Sequence, residues 1–172
     1  MTFLISGGGL SVTADILDYR VSDFSDWKKM NDKVISVAAE EGSWRLYHDN
    51  HYTGTEALIC NGVTFGKTEL EAKGLYKQIT SIRRDDNACR LEMWEHEYER
   101  GHKTSITGPT ELLSNNDQAS SVKAVGGPWA VYEHSNYEGK SMTICAGDTL
   151  NTHAKLNGFG DTISSARPVL SC

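Results

Sequence analysis

Lysine and arginine nowhere form a run in this chain, proline occurs only 3 times in 172 residues, and no apolar stretch approaches a membrane span. Without a basic patch, and with a formal net charge of −6, the composition argues against nucleic acid or an anionic membrane surface as main partner. The start, MTFLISGGGLSV, carries an apolar tetrad with no basic segment before it, too short for a secretory core or a transmembrane helix. It reads as a first strand and a glycine loop, and with no export signal visible a soluble, cytoplasmic chain is expected. Serine-hydrolase, phosphate-loop and dinucleotide signatures are missing; the SGGG at Ser6 to Gly9 has no Lys-Ser/Thr after it.

The chain does hold 16 glycines, 23% charged and 38% hydrophobic residues, which suits a globular fold rich in turns, of one large or two small domains. It also repeats. The segment WRLYHDNHYTGTEALIC (Trp44 to Cys60) returns as WAVYEHSNYEGKSMTIC (Trp129 to Cys145), with Trp, Tyr, Tyr, Gly, Ile and Cys in the same places. Thr80-Ser81 meets Ser164-Ser165, and Cys89 meets Cys172. A shorter period lies inside: YHDNHYTG (Tyr47 to Gly54), WEHEYERG (Trp94 to Gly101) and YEHSNYEG (Tyr132 to Gly139) are three copies of one hairpin. The chain therefore reads as four units of about 42 residues, the first without its aromatic hairpin.

RLY, ALIC, LEMW, TSI, WAVY and SMTIC are short strand-like runs bounded by turn residues, so an all-β sandwich class is expected. A helical period is confined to Phe24 to Glu41 and Thr68 to Tyr76. RRDDNA (Arg83 to Ala88) is the natural linker, dividing the chain into 1–86 and 87–172.

An aromatic residue, six positions, Gly, and a late Ser, repeated in two pairs, resembles the βγ-crystallin superfamily from about Ser36 onward. The resemblance implies two domains, each a β-sandwich of two Greek-key motifs, and points to the non-vertebrate, calcium-binding members. Their calcium motif is two Asn/Asp, two free positions, Ser or Thr, then Ser. SNNDQASS (Ser114 to Ser121), otherwise an ordinary polar turn, contains NDQASS (Asn116 to Ser121), which fits throughout; GDTISS (Gly160 to Ser165) lacks only the first acid.

Carried over by that resemblance, one calcium ion would take the Gln118 carbonyl, Ser120 hydroxyl, Glu95 carbonyl and Asp161 carboxylate. A second would take the Thr162 carbonyl, Ser164 hydroxyl, Glu133 carbonyl and Asp117 carboxylate. Calcium takes six to eight oxygens, and affinity follows ligand charge; with one carboxylate per site, binding of roughly 10⁻⁵ to 10⁻³ M is expected. In the N-terminal half, Ile35 stands in the hydroxyl position and Lys77 in an acid position, so one site is lost. The other keeps Asp32, the His48 carbonyl, the Gln78 carbonyl and Thr80, a weaker candidate. Tyr98 stands one position early, with Glu99 in the aromatic slot, so that hairpin is expected to differ and to unsettle the Glu95 carbonyl.

His96 and His134 lie beside carboxylates without the spacing of a zinc helix, and read as polar hairpin surface. Trp44 and Trp129 read as packing residues rather than a sugar platform. Cys60 with Cys89 and Cys145 with Cys172, 29 and 27 apart, allow disulfides; in a reducing cell buried free thiols are the expectation. The resemblance thus implies a non-enzymatic calcium-binding protein of structural or buffering role, monomeric or weakly dimeric through domain pairing. The rival is a secreted Greek-key effector, a carbohydrate-binding module or a protease inhibitor, because a fold does not settle a function.

Overall fold

The computed structural model describes residues 33–114 and 116–172, and before them the strand backbone of 2–7, 10–15 and 20–21. The chain divides into two compact units, Met1–Asp86 and Asn87–Cys172.

In the first unit the strands are β1 (Thr2–Gly7), β2 (Leu10–Asp15), β3 (Arg20–Val21), β4 (Val34–Ala39), β5 (Trp44–Tyr47), β6 (Glu56–Ile59), β7 (Thr64–Phe65) and β8 (Ser81–Arg84), with one helix, α1 (Lys67–Ala72). They form two antiparallel four-stranded sheets, in the orders β2-β1-β4-β7 and β3-β8-β5-β6. In each sheet a strand fourth in its motif lies beside the first strand of a motif, while the third strands, β3 and β7, cross to the opposite sheet, as two Greek keys require. The helix expected over Thr68 to Tyr76 is α1.

The helical period at Phe24 to Glu41 is corrected where it can be followed. Residues 24–32 lie outside the described residues, but Val34–Ala39 is strand β4. The pairing of β1 with β4 slips between Ser6 and Gly7, a bulge that leaves Ile35 over as an extra residue. Val34, Val37 and Ala39 are all buried, and the bulge spaces the first two by three, which mimics helical spacing in the sequence. Arg83 and Arg84 belong to β8, so the linker segment begins after them.

The second unit holds β9 (Arg90–His96), β10 (Arg100–Ile106), β11 (Ser121–Val125), β12 (Trp129–Tyr132), β13 (Ser141–Ile144), β14 (Thr149–Leu150) and β15 (Ser165–Pro168). One sheet runs β10-β9-β11-β14, the other β13-β12-β15. Where the first unit's sheets each have a fourth strand, the latter has a single bridge, Thr110 with Ala166, closed by backbone bonds of 2.8 and 3.0 Å. Leu91, Met93, Val122 and Ala124 from one sheet meet Trp129, Val131, Ile144 and Ala166 from the other in one apolar core, so the unit is a β-sandwich.

The expectation of free thiols is overturned. Cys145 and Cys172 form a disulfide with Cα atoms 5.6 Å apart, and Cys60 and Cys89 are also disulfide-bonded rather than free. That expectation rested on compartment, whereas bridging depends on how closely the fold brings the Cα atoms. Among the described residues no helix is long and apolar enough to cross a membrane.

Candidate metal centre

The motif loops precede β8, β11 and β15, and each position has its own physical task. The second position, Lys77, Asp117 or Asp161, has φ of 56°, 56° and 55°. Asp tolerates this left-handed backbone better than most side chains. The fourth position is a buried plug: Val34, Ile79, Ala119 and Ile163 have no exposed surface. The fifth donates its N–H to the hairpin strand, Thr80 to Tyr47 O, Ser120 to Trp94 O and Ser164 to Tyr132 O, at 2.9 to 3.0 Å.

The sixth position, Ser81, Ser121 and Ser165, is fully buried and clamps the aromatic hairpin. Each hydroxyl donates to a hairpin carbonyl, that of Asp49, His96 or His134, and accepts an N–H from Tyr52, Glu99 or Tyr137. Its donor and acceptor capacities are both used.

The hairpin with displaced Tyr98 keeps the same left-handed turn positions, contrary to expectation, although it lacks the short 3-10 turn of the other two. Tyr98, Glu99 and Gly101 have φ of 61°, 58° and 81°, against 57°, 64° and 77° for Asn136, Tyr137 and Gly139. The serine clamp and the glycine set the turn, so the Glu95 carbonyl keeps its place. The glycine is doubly required: a Cβ on Gly139 would stand 2.8 Å from His134 Cδ2 as well as at positive φ. His96 and His134 thus cover their hairpin glycines, as polar surface. What Glu99 removes is the ring pair, Tyr47 with Tyr52 and Tyr132 with Tyr137 elsewhere, at 5.8 and 5.6 Å. Burial pushes the Tyr47 and Tyr137 hydroxyls above the ordinary phenol range.

In the second unit two motif loops face each other. Asp117 N–H donates to Ile163 O and Asp161 N–H to Ala119 O, at 3.4 and 3.0 Å. Each loop sends its carboxylate to the other's hydroxyl. Ser120 Oγ lies 2.6 Å from Glu95 O and 2.8 Å from Asp161 Oδ1; Ser164 Oγ lies 2.8 Å from Glu133 O and 3.2 Å from Asp117 Oδ1. Gln118 lines one open cleft with Glu95, His96, Asp117 and Asp161, while Thr162 N–H bonds to Phe159 O. Among the described residues no group of three or more His, Cys, Asp or Glu could hold a metal; the oxygens gathered here come mainly from backbone and hydroxyls.

The two serines of a motif differ in kind. The sixth has balanced partners, whereas the fifth has one proton and two acceptor oxygens. A hydroxyl proton serves one strong hydrogen bond at a time, leaving surplus acceptor capacity on a carbonyl and a carboxylate. An all-oxygen set with surplus lone pairs fits a hard cation such as calcium.

Gly160 also finds an explanation. In one loop Asn116 Nδ2 donates to Asp117 Oδ2 at 2.9 Å, steadying that carboxylate. In the other, His153 Nε2 lies 3.6 Å from Asp161 Oδ2. A Cβ at Gly160 would stand 2.7 Å from His153 Nδ1, so glycine makes room for the imidazole. Sequence reasoning missed His153, which no spacing rule connects to the motif.

In the first unit Thr80 holds the fifth position and His48 the carbonyl position, with His48 N–H bonded to Thr55 O at 2.9 Å. Gln78 is exposed, and Asp32 lies outside the described residues. Lys77 N–H reaches Val34 O at 3.0 Å, the bond that Asp117 and Asp161 make, but offers an ammonium where they offer a carboxylate. Ile35 gives no oxygen at its place.

Paired Greek-key sheets with facing, oxygen-rich loops define a class of two-unit β-sandwich protein. Residues 90–169 match the family model Beta/Gamma crystallin. The chain is 24% identical to gamma-crystallin M1 of Chiloscyllium indicum over 132 residues, 74% of this chain and 75% of that one. It is 26% identical to gamma-crystallin D of Bos taurus over 137 residues, 77% and 78% of the two chains. Among solved structures, geodin of Geodia cydonium is aligned over 98% of both chains with 13% identity and a TM-score of 0.42. The chain is thus similar to βγ-crystallins, by the family match over residues 90–169 and by relatives aligned over about three quarters of its length.

Proposed function

We propose that this protein is a non-enzymatic calcium-binding member of the βγ-crystallin superfamily, which takes two ions through its C-terminal unit and serves a structural or calcium-buffering role. The observation that carries the reading is the acceptor surplus at Ser120 and Ser164, where one hydroxyl proton faces a carbonyl and a carboxylate together. Calcium would add the Gln118 carbonyl to Ser120, Glu95 and Asp161, and the Thr162 carbonyl to Ser164, Glu133 and Asp117, with water completing each shell. What the ion supplies is positive charge for these oxygens; the chain's part is to hold them face to face before it arrives. The exchange of carboxylates between loops makes each ion brace both Greek keys.

The N-terminal unit contributes at most one weaker site, from Asp32, His48, Gln78 and Thr80. The protein acts as a monomer or a weak homodimer through domain pairing. Disulfides last in oxidising surroundings, so the cytoplasmic expectation gives way here to an oxidising compartment.

The test is calorimetric calcium titration of the metal-free protein beside Asp117→Ala and Asp161→Ala. The parent should titrate two C-terminal sites, and each variant should lose one. No heat and no thermal shift at millimolar calcium would sink the reading.

A further inference from the structure

The chain carries two Asn-Gly pairs, and their surroundings differ. Asn61–Gly62 is tied down: Asn61 is partly buried with its N–H on Ser43 Oγ, and Gly62 N–H donates to Ala39 O at 2.6 Å. Asn157–Gly158 is exposed, and the Gly158 N–H donates to no acceptor among the described residues. A Cβ at Gly158 would meet nothing within 4 Å, so the peptide stands in open space.

The pair forms the centre of a tight turn. Asn157 and Gly158 have φ of 47° and 89°, and Phe159 N–H closes the turn on Leu156 O at 2.8 Å. Two successive left-handed residues are the reason Asn-Gly stands here. On either side Leu156 and Phe159 are buried in the core, and Gly160 and Asp161 follow at once.

We propose that Asn157–Gly158 is a spontaneous modification site through which the second motif loop ages. The Gly158 nitrogen, once deprotonated by solvent base, attacks Asn157 Cγ. The new C–N bond closes a succinimide, the Cγ–Nδ2 bond breaks, and ammonia leaves with a proton from solvent. Water then opens the ring at either carbonyl, giving aspartate or isoaspartate. Isoaspartate carries the backbone through Cβ and Cγ, one methylene longer. A turn fixed at both ends by buried side chains cannot absorb that length in place, so Phe159 and the Asp161 behind it must shift. Only this consequence rests on the calcium reading; the modification does not.

The experiment is prolonged incubation of the intact protein in mildly alkaline buffer, followed by peptide mapping with isoaspartyl-specific enzymatic labelling. The Asn157 peptide should convert, with the Asn61 peptide slower by roughly tenfold, the factor set by one ordinary hydrogen bond that must open before attack. Asn157→Gly, which suits the same turn, should abolish the signal there. Equal rates at the two asparagines, or faster conversion at Asn61, would overturn the assignment.

Calcium titration of the aged protein beside Asn157→Asp then tests the consequence. Isoaspartate should weaken binding, while Asn157→Asp, which has the charge without the methylene, should keep it. Equal loss in both would refute the chain-length argument. Should fresh protein bind no calcium, the calcium consequence falls with the functional reading, and the peptide map alone decides the modification.

Discussion

Glu92 shows at the scale of one residue how the second unit tolerates charge in its sandwich. It is 7% exposed on β9, where burial opposes its charge, yet hydrogen bonds from Lys103 Nζ and Arg90 Nε outweigh burial and hold the carboxyl below its ordinary range. A carboxyl depressed in the folded state adds stability above its unfolded pKa, and that stability is lost as pH falls through the folded value. Glu92→Gln should therefore cost about 2 kcal/mol near neutral pH, by the usual strength of hydrogen bonds to a charge. Urea denaturation should show the difference between parent and variant closing in acid. A gap that persisted below the carboxylate range would mean that packing, not charge, is what Glu92 contributes.

Among elements, the aromatic hairpin with its serine is the unit that recurs. Three copies share the same left-handed turn residues and clamp, although their aromatic residues do not coincide. Ser165→Ala removes the partner of both Tyr137 N–H and His134 O in a buried place, and should destabilise the C-terminal unit by about 2 kcal/mol. Ser121→Ala should cost a similar amount even though its hairpin lacks the ring pair, and chemical denaturation of the two variants checks this. A much smaller loss for Ser121→Ala would make the rings, rather than the clamp, the fastening. The same hairpins were legible in the sequence because glycine and serine sit at fixed intervals. The bulge in β4 was not, because an extra residue turns a period of two into a spacing of three.

For the molecule as a whole, the bridge from Cys145 to Cys172 pins the last residues to the loop after β13, closing a separation of 27 residues. By chain entropy such a loop contributes about 3–4 kcal/mol. Cys145→Ser with Cys172→Ser should lower the C-terminal unit's unfolding free energy by that amount in thermal or urea melts, and an unchanged midpoint would show that β15 alone holds the terminus. Calcium at a hundred times its dissociation constant should restore about 2.7 kcal/mol for each of the two sites. In Asp117→Ala combined with Asp161→Ala no such rescue is expected.

Local order in the sequence determined the repeat, the strand class, the hairpins and the loops whose oxygens matter, because each depends on residues a few positions apart: a glycine that must turn left-handed, a serine that must reach the next strand, an alternation that must face a core. Tertiary structure alone decided what depends on the meeting of distant segments. Facing of the two loops brings Asp161 to Ser120 and Asp117 to Ser164 across separations of 41 and 47 residues. It also sets His153 over Gly160, bonds the cysteines, and reduces one edge strand to the single bridge at Thr110. The physical reason is that a side chain's chemistry is written at its own position, whereas distances between loops are set by the packing of both sheets at once.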